Sequence, residues 1–207
     1  MESRNTILET ELLVLRKVPY SDHAMIYNGI SSDYGKLGLL VRGGAGGLKR
    51  AFPELEPFRL LKLTFRQGGG DLAHVHEIQE VLEDFGGIAN DYACFHAANW
   101  LANFSLLNIM PMISHHHFHN ALTVAFRRLA NAEMLPEAVL TGACLAFVFE
   151  EGWLSSVMQK PEAAAQCRQL LEMAAGLPAP SLSKECWQSQ LQWVQGILLA
   201  NECRLPN

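Results

Sequence analysis

Through the first third of the chain apolar and polar positions alternate, and beyond about residue 82 the spacing changes to threes and fours. Residues 7–80 contain five β-rich runs: ILETELLVLRKV, AMIYNGIS, KLGLLVR, FRLLKLTFR and DLAHVHEIQEV. Between them lie YSD, SSDYGK, the glycine loop GGAGG and RQGGGD, all turn-forming. Five strands in so short a segment predict a small closed or partly closed barrel, because a lone sheet of that size would leave an apolar face and two edges in water. An OB-type barrel is the leading architecture and an SH3-like barrel the other. Strand count alone does not separate them.

Period-two alternation also says which side chains share a face. In FRLLKLTFR, Leu61, Leu63 and Phe65 point one way and Lys62, Thr64 and Arg66 the other. In KLGLLVR, Lys36, Gly38, Leu40 and Arg42 lie opposite Leu37, Leu39 and Val41. With the apolar sets in the core, Lys36, Arg42, Lys62 and Arg66 face outward.

Helical spacing follows. Ile88, Tyr92, Phe95, Trp100, Leu101, Phe104 and Leu107 mark a helix that ends before Pro111, and Ser114 is placed to cap a second through Phe118, Leu122, Phe126 and Leu129. Pro136 sits in the first turn of a third helix that Gly152 ends. Pro161 opens a fourth, closed by Gly176, and Ser181 or Ser183 caps a fifth through Trp187, Val194 and Leu198. The expected class is α+β: an N-terminal five-stranded barrel, with the OB-fold as its leading form, over residues 1–80, followed by an α-helical bundle over residues 81–207.

Composition narrows the function. The 207 residues are 49% hydrophobic and 18% charged, a foldable chain in which no apolar run reaches the ~18–20 residues of a bilayer span. The opening MESRNTILETE lacks the basic-then-apolar order of a secretory signal, which reads as a cytosolic, cytoplasmic chain. Cys94, Cys144, Cys167, Cys186 and Cys203 are widely spaced without any C-x-x-C, so buried free thiols are expected rather than a zinc knuckle.

The net charge of −5 is unevenly distributed. Residues 1–80 hold ten Lys/Arg and ten Asp/Glu, residues 81–207 six and eleven. Within residues 36–66, Lys36, Arg42, Lys49, Arg50, Arg59, Lys62 and Arg66 face only Glu54 and Glu56, a local +5. Such a patch can hold a polyanion on an acidic protein, since charges beyond about 8 Å are screened at physiological salt.

The loop RGGAGGLKR lets backbone N–H groups approach an anion, with Arg42, Lys49 and Arg50 adding charge. It lacks the G-K-[ST] ending of a P-loop, and Pro53 opposes a long helix there. It reads as a basic hairpin for a nucleic-acid backbone, or simply as a strand connection. In SHHHFH, His115 and His119 lie one helical turn apart, but no nearby acid completes a metal set. One or two packed imidazoles on a solvated turn are expected, with no metal and no cofactor. No G-x-S-x-G and no activated nucleophile is present, and adjacent carboxylates such as Glu150 and Glu151 point to different sides of a helix. An enzyme is not expected.

Three pieces in order resemble the RecO family of bacterial recombination mediators: LVLRKVPYSDHAMI (13–26), SSDYGKLGLLVRGG (31–44) and LEPFRLLKLTF (55–65). LAFVFEEGW (145–153) is similar to the family's helix ending in a glycine-aromatic pair. The resemblance implies an OB-fold, a helical domain and no catalytic turnover. It further implies binding and annealing of single-stranded DNA, and loading of the RecA recombinase, with RecR, onto strands coated by single-strand binding protein. By position it implies DNA contacts from Lys36, Arg42, Lys49, Arg50, Lys62 and Arg66, with Tyr27 and Tyr34 as stacking platforms. The resemblance also implies double-stranded DNA as a further partner, the nucleoid as the setting, and Arg127 with Arg128 as the basic pair that would meet the acidic tail of single-strand binding protein. The chain departs from the family in lacking the zinc cysteines many relatives place after the glycine-aromatic pair; only Cys167 follows there. The alternative is a protein-interaction adaptor that keeps the fold and has lost DNA binding.

Overall fold

The computed structural model describes residues 6–42, 52, 54–68, 72–155 and 157–206. Its contacts divide the chain into two compact units, Met1–Gly86 with Ile109–Ser114, and Gly87–Asn108 with His115–Asn207.

The first unit is a barrel of β1 (Ile7–Ser21), β2 (Ala24–Ser31), β3 (Gly35–Arg42), β4 (Arg59–Gln67) and β5 (Leu72–Asp84). The strands pair in the closed order β1-β2-β3-β5-β4. β3 and β5 are parallel, and every other pair is antiparallel. This is the OB-like arrangement, which decides between the two barrels the strand count left open. The interior is built from the expected alternation: Leu12, Val14, Leu37, Leu39, Val41, Leu61, Leu63 and Phe65 are buried together. Each such side chain contributes roughly 1.5–3 kcal/mol on leaving water. β5 has three register shifts against β4, and bulges of this kind bend a strand and sharpen its twist. That bending lets β5 pair with β4 on one side and β3 on the other.

The SSDYGK turn is held by a side chain. Ser31 Oγ accepts hydrogen bonds from the backbone N–H of Asp33 (3.2 Å) and Tyr34 (3.1 Å), a serine turn that leads into Gly35. Gly35 has φ +60°, and a Cβ there would press on the carbonyl oxygens of Met110 and Ile113. The reason is that residues 109–114 run back along this turn: Lys36 N–H donates to Met110 O (3.3 Å) and Met112 N–H to Tyr34 O (2.8 Å).

The second unit holds α1 (Tyr92–Asn108), α2 (His116–Ala130), α3 (Pro136–Glu150), α4 (Pro161–Ala174) and α5 (Lys184–Ala200). Proline stands in the first turn of α3 and α4, as read from the chain, and Gly152 and Gly176 take positive φ after their ends. Ser183 caps α5 by accepting from Cys186 N–H (3.3 Å). Ser114 does not cap α2. The capping position is His115, and the free N–H groups of His117 and Phe118 donate instead to the carboxylate of Glu150, at 3.1 and 2.8 Å. A carboxylate from the end of α3 thus does the work of a local hydroxyl, and its charge suits the positive end of the α2 dipole. Around this contact, Phe147 packs edge-on against Phe104, Phe118 and Trp153, with centroids 5.3, 5.2 and 5.8 Å away. Among the described residues no helix is long and apolar enough to cross a membrane.

Gly35→Ala should destabilise the chain by about 2 kcal/mol or more, since it combines a left-handed alanine with a clash against two carbonyls. Urea unfolding followed by circular dichroism should show the lower midpoint.

Candidate nucleic-acid interface

Closure of the barrel leaves one outward set of side chains on β3, β5 and β4. Register places Leu40 of β3 beside His74 of β5, and His74 beside Arg66 of β4. Arg42 lies two residues past Leu40, so Arg42 and Arg66 are separated by two strand spacings and about two residues along the strand, roughly 12 Å between Cα atoms on a flat sheet. Both are exposed, and among the described residues neither makes an ion pair. Lys36 is half-buried at the opposite end of β3, about 20 Å from Arg42 at ~3.3 Å per residue. The two cations of β3 are therefore not brought together.

The other cations are held by carboxylates. Lys62 bonds Glu9 of β1 at 3.1 Å, and its cross-strand neighbours are Glu11 and Glu80. The Gln79 amide, with Lys62, holds the Glu9 carboxyl below its ordinary range. Arg59 pairs with Asp84 at 2.8 Å. Lys17 meets Glu56 at 2.9 Å, which raises the lysine's pKa, and lies 5.9 Å from the centre of the Tyr27 ring. The local +5 of the sequence is thereby reduced wherever an acidic strand neighbour stands alongside. Lys49 and Arg50 lie outside the described residues.

The two tyrosines are not open platforms. Tyr27 points inward and is 7% exposed; burial raises the pKa of its hydroxyl. No base can reach its ring, which corrects the expectation of stacking there. The cause is parity: Tyr27 shares its face with Met25 and Gly29, whose cross-strand partners lead into the core. Tyr34 is half-buried and rests edge-on against Phe65 at 5.3 Å. Two exposed histidines on the same outward face, His74 and His76, escaped the charge count because neutral histidine adds nothing to it. The pattern Ala73-His74-Val75-His76, apolar in and polar out, was their signal.

A family model described as recombination protein O N terminal matches residues 5–82. The barrel is similar to the RecO N-terminal domain. The match ends within β5, so the helices after the RecO domain lie beyond it. No curated protein matches the chain.

In the unit beyond the RecO match, the basic pair proposed for a partner divides. Arg127 is exposed, but Arg128 is 9% exposed and donates to Leu177 O at 2.7 Å and Met134 Sδ at 3.1 Å. Burial lowers its pKa, with Glu133 acting to support the charge. Arg128 is a brace for the chain after α4, and this corrects its assignment as a docking cation. Consecutive helix residues point about 100° apart, which is why one is inside and one outside. His115 and His119 are buried while His116 and His117 are exposed. His115 Nδ1 lies 3.8 and 3.6 Å from Glu150 and Glu151. Among the described residues no group of three His, Cys, Asp or Glu side chains is arranged to hold a metal. Cys94, Cys144 and Cys167 are buried thiols as expected, whereas Cys186 is exposed and Cys203 half-exposed. Burial pushes the Cys203 thiol up to about 11, with Glu151 adding to the shift.

Arg128→Ala should lower stability by about 2–3 kcal/mol, because it strips a buried carbonyl of its donor and opens a void. Arg127→Ala should change it by less than about 0.5 kcal/mol. Paired thermal melts of the two variants check this.

Proposed function

We infer that this chain is a non-catalytic DNA-binding protein of recombinational repair, one that binds and anneals single-stranded DNA. Acting with RecR, it would help load recombinase onto strands coated by single-strand binding protein. Residues 1–80 would be the nucleic-acid-binding domain and residues 81–207 the domain that receives protein partners, in the cytoplasm at the nucleoid. The observation that carries this reading is a barrel matching the RecO N-terminal domain whose outward face presents Arg42 and Arg66 with no carboxylate partner among the described residues. Arginines of this kind grip phosphates without reading bases, as strand annealing requires.

Arg42 and Arg66 with Lys49 and Arg50 would neutralise about four phosphates. The logarithm of affinity for an oligo-dT strand should then fall against the logarithm of salt with slope near −3. Arg42→Ala with Arg66→Ala should flatten that slope by about 1.4, whereas Lys62→Ala, already engaged by Glu9, should change affinity less than twofold. Fluorescence anisotropy at several salt concentrations measures all three, and a slope near zero would remove the reading. Annealing of complementary oligonucleotides, with and without single-strand binding protein, separates a mediator from a simple binder.

A second reading, the adaptor, is favoured by a groove of about 500 Å³ in the helical unit, walled by Lys160, Cys167, Leu170, Gln190 and Trp193. An apolar floor with a lysine at its rim suits an acidic peptide that ends in an aromatic or apolar residue. Titration of such a peptide should alter tryptophan fluorescence, and Lys160→Glu should weaken binding about tenfold or more. Silence of the wild-type signal, or a Kd left unchanged by Lys160→Glu, would retire the groove.

A further inference from the structure

We propose that His74 and His76 make the outward β3-β5-β4 face a pH-graded phosphate-binding strip, gripping a polynucleotide backbone more tightly as pH falls from 8 to 6. The proposal rests on the nucleic-acid reading above and adds to it the residues that regulate the same surface.

Geometry places the two imidazoles between the two open arginines. His74 lies in register with Arg66 on one side and Leu40 on the other. Two residues further along come His76 on β5 and Arg42 on β3. Opposite β4, Phe65 pairs with Val75 and Thr64 with Glu77, so His76 is the extra residue of a bulge. A bulge re-aims its side chains, and here His76 and Glu77 are both exposed.

The charged groups around the histidines can be named from each neighbouring strand. β3 contributes Arg42, β4 contributes Arg66 beside the buried Thr64, and β5 contributes Glu77. Lys62 lies further along, bound to Glu9 with Glu80 across from it. With neutral imidazoles the strip of Arg42, Arg66 and Glu77 carries +1; with both protonated it carries +3. Imidazole is the side chain that makes this change in the physiological range. A phosphate diester keeps its charge over that range, so the pH response resides in the protein.

The test is anisotropy of a labelled oligo-dT strand with the full chain at pH 8.0 and 6.0, at fixed ionic strength and with EDTA throughout. Wild type should bind about tenfold tighter at pH 6.0, two added surface charge pairs being worth up to about a factor of five each. Its salt slope should be steeper by about 1.4. His74→Gln with His76→Gln should remove the pH response. His74→Arg with His76→Arg should bind at pH 8.0 as wild type does at pH 6.0. His116→Gln with His117→Gln, exposed histidines of the other unit, should respond as wild type does. Circular dichroism should be the same for all four proteins, since every altered side chain is exposed. A pH response that survives the His→Gln pair, or wild-type affinity equal at both pH values, overturns the role of the histidines and leaves the DNA reading standing. Absence of binding at both pH values, in wild type and in the His→Arg pair, overturns both.

Discussion

A parallel seam holds the barrel shut: Gly38 pairs with Leu72, Leu39 with Ala73 and Leu40 with His74. Without it β3 and β5 would be two open edges, each a template for unwanted strand addition. With it, one alternation governs the whole first unit, because a closed sheet has a single inside. A slip of β5 by one residue at the seam would carry Ala73 out to water and bring His74 inward. The core therefore enforces the register, and the register decides which cations face a ligand.

That dependence explains why charge density along the chain overstates charge density on the surface. Residues 36–66 are rich in lysine and arginine, yet a strand residue's nearest neighbours belong to other strands. Lys62 meets Glu9, and Arg59 meets Asp84, partners 53 and 25 residues away. Cross-strand pairs of opposite charge stabilise a sheet modestly, and they also withdraw cations from any ligand. Arg42 and Arg66 stay open because their outward neighbours are Ala24, Ile7 and His74, none of them acidic.

The barrel and the five helices were legible because they follow from local rules: alternation, proline at first turns, glycine after helix ends. The outward placement of Lys36, Arg42, Lys62 and Arg66 came from the same alternation, as none of the four is buried. What escaped was access, which depends on which neighbours a face meets as well as on local pattern. Ser114 had the chemistry of a cap, but Glu150, 33 residues beyond His117, reached the free N–H groups first. Tyr27 had the ring of a stacking platform, but parity turned it into the core. Arg127 and Arg128 looked like one basic patch until the helical turn sent the second into contact with Leu177, 49 residues on. In each case identity was informative about chemistry and silent about access.

The open part of the interface is small, and its size bears on what kind of binding it can support. A chain of net −5 repels a polyanion at long range, and only within about 8 Å does a local cluster dominate at physiological salt. Two open arginines and two histidines give such a cluster a shallow, salt-sensitive hold rather than a deep one. On the proposed function this quality fits strand annealing, since a strand held by many fixed contacts cannot shift its register to find its complement. Deep binding would favour storage of single strands; shallow binding at the backbone, with the bases left free, favours exchange. Under the proposed function, the carboxylates that neutralise Lys62 and Arg59 would keep such a grip weak enough to release.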